Sequence, residues 1–360
     1  MILILLSFCY IVYSQKLPED VFLDPESASL ALYEERMCVL TKVATSEIGG
    51  RANCFGAHHR LYDKILKPPN DIFVQIVASG LYFCGLTIEQ KIKCWGKPDR
   101  AVDEFPGFYT QITSSDKHMC AISTDGNIMC NFKSYITNND SDEPGEESDG
   151  ETKTNKPKPF YVQISCSTNH CCALDNNGHV HCDGKRVHES VLTTPHYIVT
   201  PDGLGNHDVL IEEDGYADEE VVTIGDKIHT KFIQISVSDH FSCGIRYHDG
   251  AIECWGDERS TNAIPMYNIQ GPFRQVSADS HCVCGIFSSN DSISCTGECE
   301  RLVHNPKKSK REPWPNALYG EYDQVKVFRK RVCAVTMDSE LYCWGRPFHG
   351  TPMPTDLDIA

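Results

Sequence analysis

The side chains with the plainest chemistry in this chain are its 19 cysteines. Fourteen of them fall into seven pairs: Cys38 with Cys54, Cys84 with Cys94, Cys120 with Cys130, Cys172 with Cys182, Cys243 with Cys254, Cys284 with Cys295, and Cys333 with Cys343. Ten positions separate four of the pairs, eleven separate the pairs starting at Cys243 and Cys284, and sixteen separate the first, where Glu47 to Arg51 lengthen the turn. Such spacing lacks the Cys-x-x-Cys knuckle of structural zinc sites. Disulfides fit it better. Each pair flanks a short polar turn between two β-rich runs, which reads as a hairpin. Positions equidistant from a hairpin turn face each other with Cα atoms about 4.5 to 5.5 Å apart, within disulfide reach. In the loop-entropy model each such bridge stabilises by about 3 kcal/mol.

The stretch Phe73 to Gly96 shows what positions the thiols. Val74 and Ile76 alternate into Cys84-Gly85-Leu86, a polar turn follows, and the chain returns as Ile92 and Cys94-Trp95-Gly96. Sliding this pattern along the sequence gives seven matches. A second register runs through them independently: eight positions before the first Cys stands Leu30, Ile76, Ile112, Ile164, Ile235, Val276 or Val325, and in all but the first unit Gln precedes it. Seven units with three visible strands, and room for a fourth, predict an all-β, seven-bladed β-propeller with a disulfide inside each blade hairpin. One such sheet cannot bury both faces, so neighbours stack and the ring closes.

This text resembles the regulator of chromosome condensation repeat, whose family members are seven-bladed propellers. The Cys-Gly-Leu and Cys-Trp-Gly wording is most similar to the extracellular crinkly-type repeats of plant receptor kinases, and more distantly to a secreted bacterial β-lactamase inhibitor. The resemblance covers about residues 25–346. Trp stands at 95, 255 and 344, while the matching slots hold Phe55, Asn131, Asp183 and Thr296.

Residues 1–14 (MILILLSFCYIVYS) form an apolar run too short for a membrane span, which needs about 20 residues, and read as a secretory signal cut after Ser14. Residues 347–360 form a tail. Removal of Cys9 with the signal leaves an even number of cysteines, as an oxidising compartment favours. Four lie outside the repeat. Proximity favours Cys166 with Cys171 and Cys282 with Cys299, although four thiols allow three connectivities.

The net charge of -17 is concentrated in two segments. Residues 140–151 hold seven acids and residues 202–226 hold nine, within inter-unit insertions at about 133–159 and 185–230. Blocks of this kind read as solvated loops. Asp140, Asp142, Gly145 and Glu151 match four positions of a calcium loop, but Pro144 occupies a ligand position and no helices flank it. Asn139 and Asn290 open glycosylation sequons, the latter in the turn of the sixth hairpin. A basic run, Lys307 to Arg311, and Arg329-Lys330-Arg331 could together take sulfated glycans or acidic protein; Lys308 to Arg311 also has the form of a processing site.

His118, His170, His240 and His281 precede the first hairpin Cys in four units. They could form a ring of metal ligands, but similar histidines belong to the family's repeat text, which implies a turn-stabilising role. His58-His59 and His179-x-His181 show no carboxylate at a diagnostic spacing, and no nucleophile elbow, phosphate loop or paired-acid motif stands out. The expected product is a secreted, extracellular, non-enzymatic module. It is a monomer without cofactor, metal or membrane span, and it recognises protein or glycan, not nucleic acid, through rim loops. The candidate binding residues lie between first and second strands: Leu81, Tyr82, Phe83, Lys117, His118, Phe241, Phe328, Arg329, Lys330 and Arg331. Two alternatives stand beside this reading. A secreted enzyme acting on polysaccharide requires a deep axial pocket with two carboxylates. Guanine nucleotide exchange, the activity of the family's founding member, requires that residues 1–14 not direct export.

Overall fold

The computed structural model describes residues 29–33, 36–43, 46–56, 67–80, 82–96, 105–115, 119–131, 158–184, 230–256, 269–279, 281–299, 320–329 and 331–345. The N-terminal segment, most of both acidic insertions, the basic run at 307–311, Asn139 and the tail lie outside them, as do Leu81, Lys117, His118 and Lys330.

Unit 1 comprises β1 (Leu30–Tyr33), β2 (Arg36–Val43) and β3 (Ser46–Gly56); unit 2, β4 (Ile72–Ala78), β5 (Tyr82–Thr87) and β6 (Ile92–Gly96). Unit 3 comprises β7 (Tyr109–Ser114), β8 (Met119–Ser123) and β9 (Ile128–Cys130); unit 4, β10 (Tyr161–Cys166), β11 (His170–Asp175) and β12 (Val180–Gly184). Unit 5 comprises β13 (Phe232–Val237), β14 (Phe241–Arg246) and β15 (Ile252–Gly256); unit 6, β16 (Phe273–Asp279), β17 (Cys282–Phe287) and β18 (Ile293–Gly297). Unit 7 comprises β19 (Tyr322–Phe328), β20 (Arg331–Thr336) and β21 (Leu341–Gly345). Each unit is an antiparallel meander, and β3 pairs with β4 so that units 1 and 2 share one sheet. A fourth strand begins, among the described residues, only at the bridge between Ile252 and Ile269 in unit 5.

Every first strand touches the first strands of both neighbours, and β19 touches β1, so the units form a ring. The glutamine register explains how. Side chains alternate faces along a strand, so Gln one position before the apolar residue points into the next unit. There Gln75 Oε1 accepts the Ile112 N–H (2.8 Å), Gln111 the Ile164 N–H (2.7 Å) and Gln163 the Ile235 N–H (2.8 Å). Gln234 and Gln275 do the same for Val276 and Val325, both at 2.6 Å. Unit 1 carries Ser29 in the glutamine slot, and its hydroxyl donates to Gln324 Oε1 at 2.8 Å, closing the circle. Two positions further on, Thr113, Ser165, Ser236 and Ser277 accept N–H groups of the following unit through their hydroxyls. Buried amides and hydroxyls must find partners, and here the partners are the neighbouring backbone.

Each unit from 2 to 7 opens on a buried aromatic: Phe73, Tyr109, Tyr161, Phe232, Phe273 and Tyr322. The Phe73 ring lies where a Cβ on Gly85 would be, and Phe232 and Phe273 crowd Gly244 and Gly285 likewise. Where the aromatic is Tyr, the facing residue is Ala121, Ala173 or Ala334, packed in the same core clusters. The Cys-Gly and Cys-Ala variants of the second strand therefore record which ring rests on them.

All seven hairpin cysteine pairs are disulfides, with Cα atoms 4.0 to 4.1 Å apart. Two more bridges join Cys166 to Cys171 and Cys282 to Cys299. Both lie at the end of the ring that carries the loops between first and second strands, termed the mouth. The other end carries the turns between second and third strands. There the turn residue with left-handed backbone, Gln90, Gly126, Gly178, Gly250 or Asp291, offers its carbonyl to the first N–H of the next unit, at 2.8 to 3.0 Å.

Candidate binding site at the mouth of the ring

First-strand residues from all seven units line a central cavity of about 140 Å3. Its mouth is most distinctive where unit 7 meets unit 1. Tyr33, at the end of β1, is buried, and its ring lies 5.3 Å from that of Phe328. The Arg329 guanidinium is exposed and sits 5.4 Å from the Phe328 centroid and 5.9 Å from that of Tyr33. The Arg36 guanidinium lies 5.6 Å from the Tyr33 centroid, with Nη2 donating to the Gly80 carbonyl of unit 2 at 2.8 Å. Cation-aromatic contacts of this kind hold a guanidinium in place.

The backbone supports the same arrangement. Four non-glycine residues among those described have positive φ; Gln90, Asp291 and Ser339 occupy turns at the far end, whereas Arg329, at φ 52°, lies at the mouth. Its N–H donates to the Asp279 carboxylate. A left-handed conformation at a residue with a long side chain is held by its surroundings.

Two carboxylates, Asp239 and Asp279, line the cavity, which is the feature required of a polysaccharide enzyme. Each already accepts a backbone N–H from a neighbouring unit, Asp239 from Thr168 at 3.0 Å and Asp279 from Arg329. Asn169 Nδ2 adds a bond to the Asp239 carbonyl at 2.9 Å. These acids tie adjacent loops together.

Four candidate binding residues prove to be interior. Tyr82 packs in the cluster between units 2 and 3, Phe83 in that between units 1 and 2, where it stacks on Trp95 at 6.0 Å, and Phe241 in that between units 5 and 6. Arg331 is likewise buried, its backbone paired with Phe328 and Gly345. In stacked sheets both faces of the second strand meet a neighbour, so an aromatic near its start is drawn inward instead of into a loop. Of the described candidates, Phe328 and Arg329 remain at the surface.

His170 is buried, with Nε2 2.8 Å from Ser242 Oγ; burial is the main cause pushing its pKa down to about 4, against the opposing charge of Asp239. His240 and His281 stack 6.3 Å apart. His179-x-His181 does find a carboxylate, from the preceding strand: Asp175 Oδ2 lies 3.0 Å from His181 Nε2 and 3.4 Å from His179 Nδ1, while Oδ1 accepts the N–H groups of Asn177 and His179. Burial raises the Asp175 pKa, but these donors outweigh it and the net direction is down. Among the described residues, the clustered metal-ligating atoms are sulfurs already joined in disulfides. Asn290 is exposed, with Oδ1 accepting the Ser292 hydroxyl at 2.8 Å.

No protein-family model matches the sequence, and no curated protein matches it. Solved structures do. The CRINKLY WD40 ectodomain of the Arabidopsis thaliana receptor kinase ACR4 aligns with a TM-score of 0.57 at 16% identity, over 92% of this chain and 98% of that one. The ectodomain of the Physcomitrella patens receptor kinase CR4 aligns at 0.56 and 17% identity, over 88% and 73%. A chain in the structure of Kap60 bound to yeast RCC1 (Prp20) aligns at 0.51 and 13% identity, over 96% and 85%. The fold is a β-propeller. At these identities the likeness concerns architecture, the same architecture that the crinkly-type and regulator-of-chromosome-condensation repeats imply. Among the described residues, no helix is long and apolar enough to cross a membrane.

Proposed function

We propose that this chain is a seven-bladed propeller of extracellular type that binds a protein or glycan at the mouth of its ring without catalysing a reaction. The observation that carries the reading is the Tyr33, Phe328 and Arg329 cluster, a cation presented on aromatic rings by a left-handed backbone at the junction of the last and first units. Aromatic and arginine side chains are the types that dominate binding energies, and loops on a rigid scaffold are where recognition concentrates. The nine disulfides among the described residues and the likeness to receptor ectodomains support an oxidising, extracellular setting. Residues 1–14 would direct export, and Asn139 and Asn290 would carry glycans.

The guanidinium calls for an anionic or carbonyl-rich ligand: sulfate, carboxylate or backbone oxygens. The test is affinity capture from extracellular material, using the secreted wild-type chain and Arg329→Ala as parallel baits, with retention on immobilised heparin as a second readout. A species captured by wild type and lost with Arg329→Ala supports the mouth; equal capture and equal retention by both baits would remove it.

A further inference from the structure

The two bridges outside the repeat each stand against a hairpin bridge. In unit 6, Cys284 Sγ lies 3.7 Å from Cys299 Sγ, so the bridges Cys282 to Cys299 and Cys284 to Cys295 touch within one unit. In unit 4 the neighbour belongs to a different unit. The sulfurs of Cys166, Cys171 and Cys120 all lie within 4.8 Å of one another, which sets the Cys166 to Cys171 bridge of unit 4 against the Cys120 to Cys130 bridge of unit 3. Strand alternation brings this about. Ser165 Oγ accepts the Val237 N–H of unit 5, so Cys166, the next residue of β10, turns the other way, into the apolar cluster that holds Cys120 and Ile122 of unit 3.

Access separates these sulfurs. Cys166 is 8% exposed, against 3% for Cys171 and 0% for Cys120. Among the described residues that line the central cavity, Cys166 is the one that carries sulfur. Cys130, which closes β9, is partly exposed. A thiolate is disfavoured in apolar surroundings and attacks a disulfide within its reach.

We propose that Cys166 is a modification site for a small thiol entering the central cavity, and that the bond it opens is passed from unit 4 to unit 3. The thiolate RS⁻ bonds to Cys166 Sγ and breaks the bond to Cys171, which leaves as a thiolate. Enclosed in the apolar cluster, the Cys171 thiolate attacks Cys120 Sγ. The Cys120 to Cys130 bond breaks, and Cys130 leaves and takes up the proton that RSH gave away. Two disulfides are consumed and two form, RS–Cys166 and Cys120 to Cys171, so the thiol is the sole co-reactant. Direction comes from solvation, because the free sulfur ends at the partly exposed Cys130 and not among apolar side chains. A covalent link between units 3 and 4 replaces one within unit 3. Unit 6 has touching bridges as well, but none of its cysteines lines the cavity, and its bridges stay intact.

The test is peptide mapping by mass spectrometry of the full oxidised chain after exposure to cysteamine under native conditions, with N-ethylmaleimide capping free thiols and no reduction. Expected are cysteamine on Cys166, maleimide on Cys130 and peptides joined through Cys120 and Cys171, with both unit 6 bridges unchanged. In Cys120→Ala with Cys130→Ala, which removes the acceptor bridge, maleimide should move to Cys171 while cysteamine remains on Cys166. A thermal melt shows whether this variant is folded, and the wild-type map decides both points without it. Absence of an adduct, adducts spread over several bridges, or earlier modification of unit 6 would overturn the site. Cysteamine on Cys166 with maleimide on Cys171 in the wild type would overturn the transfer between units.

Discussion

At the mouth, units 2, 4 and 5 share a turn in which the N–H of Ser79, Ser167 or Ser238 donates to the carbonyl three residues on at 2.9 Å, and individual units add their own devices: unit 4 a disulfide between Cys166 and Cys171, unit 6 one between Cys282 and Cys299, and unit 7 a left-handed Arg329. At the turn end the same repeat does one thing again and again. A left-handed turn residue gives its carbonyl to the next unit, whether that residue is Gln90, Gly126, Gly178, Gly250 or Asp291. The difference lies in what carries the structure. Disulfides and single side chains are added to the shared backbone at the mouth, so each addition there is particular to one unit. Backbone bonds define the turns, so the residue that supplies the carbonyl can be Gln, Gly or Asp.

The contrast can be broken experimentally. The largest effect should come from Cys282→Ala with Cys299→Ala, which removes a bridge from the mouth; native disulfides typically contribute about 2 to 5 kcal/mol, and denaturant unfolding of oxidised protein would measure the loss. A change below measurement error would mean that the mouth is held by the same backbone bonding as the turns.

Acid should act next, and also at the mouth. His170 stays neutral when folded, with a pKa near 4 because it is buried, but titrates near its ordinary value of about 6.5 when unfolded. The unfolded chain therefore binds the proton first. The stability from neutral His170 is complete above about pH 6.5 and falls as pH drops toward 4, by up to about 3 kcal/mol. The difference between wild type and His170→Gln across that window isolates the effect, and parallel curves would contradict it.

The smallest change should have the opposite sign. Gln90→Gly relieves a left-handed side chain at φ 61° and should raise stability by no more than about 1 kcal/mol. Destabilisation in its thermal melt would mean that the Gln90 side chain, and not its carbonyl alone, holds the turn.

Much of this architecture was legible beforehand, but unevenly. The cysteine spacing and the glutamine register were visible because a hairpin and an inter-unit bond each fix residue types at constant offsets. The matching of Phe73 with Gly85 and of Tyr109 with Ala121 is equally present in the text, twelve positions apart, yet carries no local signal because its cause is a ring lying across another strand. The binding residues were harder still. Tyr82, Phe83 and Phe241 share the loop-edge position and aromatic type of a recognition site, and nothing local separates an aromatic that faces solvent from one that faces the next sheet.

Sequence alone determined the repeating unit and which thiols face each other across its hairpin, because these follow from strand alternation and turn length within a short span of chain. Tertiary structure decided exposure. Whether Arg329 reaches solvent while Arg331 does not depends on what the ring brings against them from distant parts of the chain.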